Sequence, residues 1–198
     1  MEVAAVKCGV LGDSNTGKTS LLVRYTTHKF PHTTNMMPTV FDDYIREMEV
    51  DGTKCVFELY DSTSHNCHTD HLKQFEYKDT HVFVVCFALD DPGSLESVRE
   101  KWFPQIKCLC PQSQILLVGT KSDTRCAEPP SLSRAQGQQM ASEIGACGYR
   151  ECSALDGMGV NEIFLEAARV GCISVDRKDR VVRKLYCAMC CCFDRSRK

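Results

Sequence analysis

The sequence predicts an α/β fold, a largely parallel sheet with helices on both of its faces. Three observations point there. Short apolar runs alternate with segments of helical period along most of the chain. The first run leads directly into a loop bounded by Gly12 and Gly17 and then into a helical pattern. Two later runs, Val82–Leu89 and Ile115–Gly119, are continuously apolar, as strands buried on both faces of a parallel sheet are.

In chain order, Val3–Leu11 reads as a buried strand, followed by the loop and by a helix to about Thr26. Tyr44–Val50 and Cys55–Asp61 flank Asp51-Gly52, a tight-turn pair, and so form a hairpin. Tyr149–Cys152 is a short final strand. Helices are expected over Ser94–Lys107, Ser133–Ile144 and Val160–Val170. In the last, Val160, Ile163, Phe164, Ala167 and Ala168 share one apolar face. Pro129-Pro130 punctuates the loop before the middle one. This gives one folded domain over residues 1–172 and a basic, Cys-rich tail over residues 173–198.

The formal net charge of −2 hides an asymmetry: Ser174–Lys198 carries eight Lys/Arg and three Asp, a net of +5, which leaves −7 on the remainder. The tail, rather than the body, is therefore suited to an anionic membrane surface. Without a basic stripe interleaved with aromatics in the body, nucleic acid is not expected as a partner. Fourteen cysteines, with no basic-then-apolar leader before them, suggest free thiols in a reducing cytosolic setting. The longest apolar run has eight residues, against about 18 for a membrane span, so no crossing of the bilayer is expected.

Gly12-Asp13-Ser14-Asn15-Thr16-Gly17-Lys18-Thr19 matches G-x-x-x-x-G-K-[ST]. The glycines permit a tight turn whose N–H groups face phosphate oxygens, and the following helix directs its positive end at the same anion. Lys18 is placed to neutralise the β/γ-phosphates and the Thr19 hydroxyl to ligate Mg²⁺. Gly12, Asn15, Thr16, Gly17, Lys18, Thr19 and Ser20 are thus candidate nucleotide contacts. A chance surface turn is the bland alternative, but strand, loop and helix occur in the required order. The base is read elsewhere. Thr120-Lys121-Ser122-Asp123 closes an apolar strand, and the acceptor-only Asp123 carboxylate suits the paired N–H donors on one edge of guanine.

With these motifs in place, the chain resembles the Rho family of small GTPases over about residues 3–172. Pro38-Thr39-Val40-Phe41-Asp42-Asp43-Tyr44, Lys101-Trp102-Phe103-Pro104, Leu116–Asp123 and Tyr149-Arg150-Glu151-Cys152-Ser153-Ala154 carry the resemblance. It implies the P-loop small-GTPase fold, with a six-stranded mixed sheet, and a monomer that cycles between GTP and GDP with Mg²⁺. It also implies effector proteins at the switch regions, and exchange factors. Position by position, Thr39 matches the switch I threonine that ligates Mg²⁺, and Asp61 the acid that holds it through water. Phe30 matches an aromatic that braces guanine, with plain loop packing as its alternative. Lys121 lies along the base, and Ser153-Ala154 match the loop whose N–H reaches the guanine oxygen.

The departures cluster at the γ-phosphate. Where the family has D-x-x-G-Q, this chain reads Asp61-Ser62-Thr63-Ser64-His65. Ser64 narrows the backbone freedom of the glycine, and His65 replaces the glutamine that orients the attacking water. Ser14 stands where the family has glycine and crowds the space for that side chain and an arginine finger. Ser14, Ser64 and His65 are therefore the candidate residues governing hydrolysis. Two readings follow: a GTPase with weakened hydrolysis, or a constitutively GTP-bound pseudoenzyme that binds effectors. His65, Cys67, His68 and His71 have zinc-ligand chemistry, with a solvated loop as the default. Thr124–Ser133 is too short for the full extra helix of most Rho proteins.

In the tail, Val181, Val182, Leu185, Tyr186 and Met189 share a helical face. Cys187, Cys190, Cys191 and Cys192 are candidate acylation sites, and the final residues lack a C-a-a-X box. The tail resembles those of atypical Rho proteins anchored by palmitoylated cysteines, with peripheral attachment to the cytoplasmic face of the plasma membrane. A disordered tail with free thiols is the alternative.

Overall fold

The computed structural model describes residues 4–31, 44–61, 77–126 and 131–175. They form one six-stranded sheet in the order β2-β3-β1-β4-β5-β6. The strands are β1 (Ala4–Gly12), β2 (Tyr44–Val50), β3 (Thr53–Asp61), β4 (Val82–Ala88), β5 (Gln114–Thr120) and β6 (Gly148–Glu151). Only the β2–β3 pair is antiparallel. Its turn is the expected one: Asp51 (φ 51°) and Gly52 (φ 79°) both adopt the positive φ that a two-residue hairpin of this twist requires.

Side-chain alternation divides the interior between two faces. Val6, Cys8 and Val10 of β1, Val82, Val84 and Cys86 of β4, and Leu116 and Val118 of β5 pack against α1 (Lys18–Thr27) and the C-terminal helix of residues 160–175. Phe83, Val85, Phe87, Ile115 and Leu117 point the other way, toward Leu95, Val98, Trp102, Ile106, Met140 and Ile144. Each central strand buries both faces, which is why these runs are continuously apolar in sequence.

Two helical segments differ from the expectation. The helix expected from Ser94 begins at Pro92, because the Asp91 side chain accepts the Gly93 N–H at 3.0 Å and proline suits the first turn. It is also not uniform. α2 (Pro92–Ser97) passes through a wide π turn, Val98–Trp102, into α3 (Phe103–Leu109). α4 (Arg134–Glu143) carries a complete capping box between Ser133 and Gln136. The C-terminal helix, α5, continues to residue 175, beyond the expected Val170. Among the described residues no helix is long and apolar enough to cross a membrane.

Candidate functional site

The carboxyl ends of β1, β3, β4, β5 and β6 lie along one edge of the sheet, where open α/β sheets place their ligands. The loop after β1 is geometrically demanding. Gly12 has φ +147°, and a β-carbon there would lie 2.2 Å from the Cys86 carbonyl oxygen, so no other residue fits. Asn15, at φ 63°, is held left-handed without being glycine. Ser14 and Asn15 are exposed on the loop, whereas Thr16 is buried.

Hydrogen bonds fold the loop back on Asp13. Its carbonyl accepts from Lys18 Nζ at 2.8 Å and from Thr16 Oγ1 at 2.9 Å. Lys18 is only 7% exposed, and burial lowers the pKa of its ammonium, partly offset by Cys86, Asp61 and Asp13. A desolvated cation of this kind is poised for an incoming anion. Thr120 Oγ1 donates to the Thr16 carbonyl and lies 3.0 Å from that of Phe87. The end of β5 is thereby tied to the phosphate loop.

Thr19 Oγ1 donates to Asp61 Oδ2 at 3.1 Å. The other oxygen of Asp61, Oδ1, is buried with no hydrogen-bond partner among the described residues, and burial raises the pKa of this carboxyl. A native protein rarely leaves such an acceptor orphaned unless a ligand completes it. A hydroxyl beside an uncompensated carboxylate is an all-oxygen donor set, suited to Mg²⁺. Thr19 and Asp61 would hold that ion, which supplies charge neutralisation to phosphate oxygens when bound.

Beyond the loop lies a cavity of about 180 Å³ lined by Gly17, Ser20, Phe30, Lys121, Asp123 and Ala154, together with Leu21, Thr120, Cys152 and Leu155. Asp123 is presented by a 3-10 turn, Ser122–Cys126. That turn is anchored to the next loop, since the Ser122 N–H donates to the Cys152 carbonyl at 3.0 Å. Lys121, at φ 58°, spans to Asp90, with 3.1 Å to each carboxylate oxygen. Ser153 is fully buried and does not line the cavity. Its N–H donates to the Met158 carbonyl and its hydroxyl accepts from the Asp156 N–H, so it shapes the loop that presents Ala154.

Sequence reasoning did not place Leu21, Cys152 or Leu155 in the cavity wall, because an apolar wall carries no motif. It also missed Asp90, whose pairing with Lys121 depends on two strand ends meeting. Thr39, Ser64 and His65 lie outside the described residues. So do Cys67, His68 and His71, and the tail cysteines Cys187, Cys190, Cys191 and Cys192. Among the described residues no cluster of His, Cys, Asp or Glu has the makings of a metal centre.

Comparison with known families gives one match that spans the site. The model described as the Ras family covers residues 7–171, from β1 into α5.

Proposed function

The chain belongs to the Ras family, and from that premise we propose that it is a Rho-type GTP-binding switch with weakened hydrolysis. Ras-family proteins are guanine-nucleotide-binding switches. The observation that supports the reading here is the continuity of the site. A purine-sized cavity containing Asp123 and Lys121 adjoins a loop holding a desolvated Lys18 and a Thr19–Asp61 pair. Asp123 accepts from the guanine edge, Phe30 and Leu155 wall the base, Lys18 meets the β/γ-phosphates, and Thr19 and Asp61 hold the cation.

The Rho type rests on the motifs Pro38–Tyr44 and Lys101–Pro104, and weak hydrolysis on Ser14, Ser64 and His65. In this reading effectors and exchange factors act at the switch segments. An arginine finger contributes roughly 10³–10⁵ in rate, and Ser14 and His65 disturb the space it needs. The test is to identify the nucleotide that copurifies and follow its conversion with and without a Rho-type activating protein. Slow turnover with little stimulation is expected, and substitution of Gly at Ser14 and Ser64 with Gln at His65 should restore stimulation. A several-thousand-fold stimulation of the unaltered protein would reject weakened hydrolysis.

We further propose that the tail attaches the protein peripherally to the cytoplasmic face of the plasma membrane. One acyl chain anchors only marginally, whereas two signals hold stably, and basic residues supply the second. Replacing Cys187, Cys190, Cys191 and Cys192 with Ser should shift the protein to the soluble fraction. An unchanged membrane fraction would exclude acylation as the anchor.

A further inference from the structure

Trp102 is the only tryptophan in the chain, sits at the end of the π turn, and is 5% exposed. Single wide turns inside helices recur at functional positions. Here the turn ends with the indole N–H, a group that can only donate, 3.0 Å from Asp13 Oδ1. Lys101 Nζ stands 3.5 Å from the same oxygen and 4.2 Å from the centre of the indole ring. A half-buried carboxylate of the phosphate loop is thus held and partly neutralised by two consecutive residues of the π turn.

Asp13 matters to the loop through its other end. Its carbonyl receives Lys18 Nζ and Thr16 Oγ1, and the Thr16 N–H at 3.4 Å. A carboxylate in a loop built for polyphosphate is also a like charge, and its effect on bound phosphate depends on where it is held and what neutralises it. Released from the helix, Asp13 would regain rotamer freedom, and Lys18 and Thr16 would hang from an unsteady carbonyl.

We propose that Trp102 is a positioning residue for nucleotide retention, its N–H fixing Asp13 and thereby the phosphate loop, with Lys101 in support. The proposal rests on the guanine-nucleotide reading of the site. It makes the π turn a point at which a force on the α2–α3 segment reaches the phosphates.

Release of a fluorescent GDP analogue from the full chain tests this in two backgrounds, with Asp13 and with Asp13→Asn. A hydrogen bond to a charged group is strong enough for Trp102→Phe to accelerate release about tenfold when Asp13 is present. In the Asp13→Asn background, where the charge is gone, the acceleration by Trp102→Phe should shrink severalfold. Lost packing would instead lower the melting temperature equally in both backgrounds. Lys101 is half exposed, so Lys101→Ala leaves the core intact. It should speed release about twofold with Asp13 and not at all with Asn. Equal accelerations in the two backgrounds, or none, would overturn the proposal. Failure of the unaltered protein to bind the GDP analogue would overturn it together with the reading it rests on.

Discussion

At the base end of the cleft, Leu21, Phe30, Ala154 and Leu155 enclose a cavity to which Asp123 brings a carboxylate. At the phosphate end the groups are mostly polar, and two are poorly compensated: a desolvated Lys18 and a buried Asp61 whose Oδ1 is orphaned among the described residues. The base end is held by contacts the protein makes with itself, through strand-end loops tied to one another. The phosphate end is left for a ligand to complete. In the proposed reading, recognition and ligand-dependent stability are therefore separable, the first assigned to Asp123 and the second to Lys18 and Asp61.

The largest expected effect tests the base end. Sites that hydrogen-bond a particular ligand edge reject analogues by roughly 10⁴–10⁵, so Asp123→Ala should abolish a preference of that order for GTP over ATP. Competition binding measures it, and comparable affinities for the two nucleotides in the unaltered protein would break the division of labour. A smaller effect tests the phosphate end. Leaving a buried acceptor unsatisfied costs about 1–3 kcal/mol. Asp61→Asn keeps that orphaned polar position but removes the desolvated charge, and should raise the stability of the nucleotide-free, metal-free protein, while nucleotide release loses its dependence on Mg²⁺. Denaturant melts with chelator, paired with release rates with and without Mg²⁺, report both parts. A less stable variant with unchanged Mg²⁺ dependence would mean that Asp61 is a structural acid.

The smallest effect lies away from the cleft. Arg169 of α5 grips Asp51 at the hairpin turn, with contacts of 2.6 and 3.0 Å. This hydrogen-bonded pairing lowers the pKa of the Asp51 carboxyl. A carboxylate whose folded pKa is depressed contributes stability above its unfolded pKa and loses it as pH falls through the folded value. Both side chains are exposed, so the contribution is small and screened by salt. Arg169→Ala should lower the melting temperature slightly near neutral pH, and the difference should vanish in acid and shrink in salt. A difference that survives at low pH would show that packing, not charge, holds the turn.

Much of the framework was legible because its signals are local. Asp51-Gly52 specifies its own turn, and continuous apolar runs such as Val82–Ala88 identify strands buried on both faces. Lys18 and Asp123 could be read from motifs whose chemistry is carried by a few adjacent residues. The Asp91-Pro92 pair was an equally local signal, a cap followed by a first-turn proline, and it would have placed the helix start correctly. What escaped reading depends on distant parts of the chain meeting. Trp102 lies 89 residues from Asp13, and Lys121 lies 31 from Asp90. Neither partner has a pattern that announces the other. Ser153 shows a third case: its motif located the right loop, but hydrogen bonding inside the loop leaves Ala154 as the residue that lines the cavity.

Helix α1 joins the two ends of the cleft in a further sense. Lys18 stands in its first turn, at the phosphate loop, and Arg24 in its last turn donates from Nη2 to the Asp156 carbonyl, in the loop that presents Ala154. Six residues of α-helix span about 9 Å and do not stretch. In the proposed reading Lys18 meets the phosphates while Ser20 and Leu21, within one turn of it, line the base cavity, so the helix fixes the distance between the two subsites. A nucleoside would fill only one of them and a diphosphate both, which would make ligand length part of what is recognised.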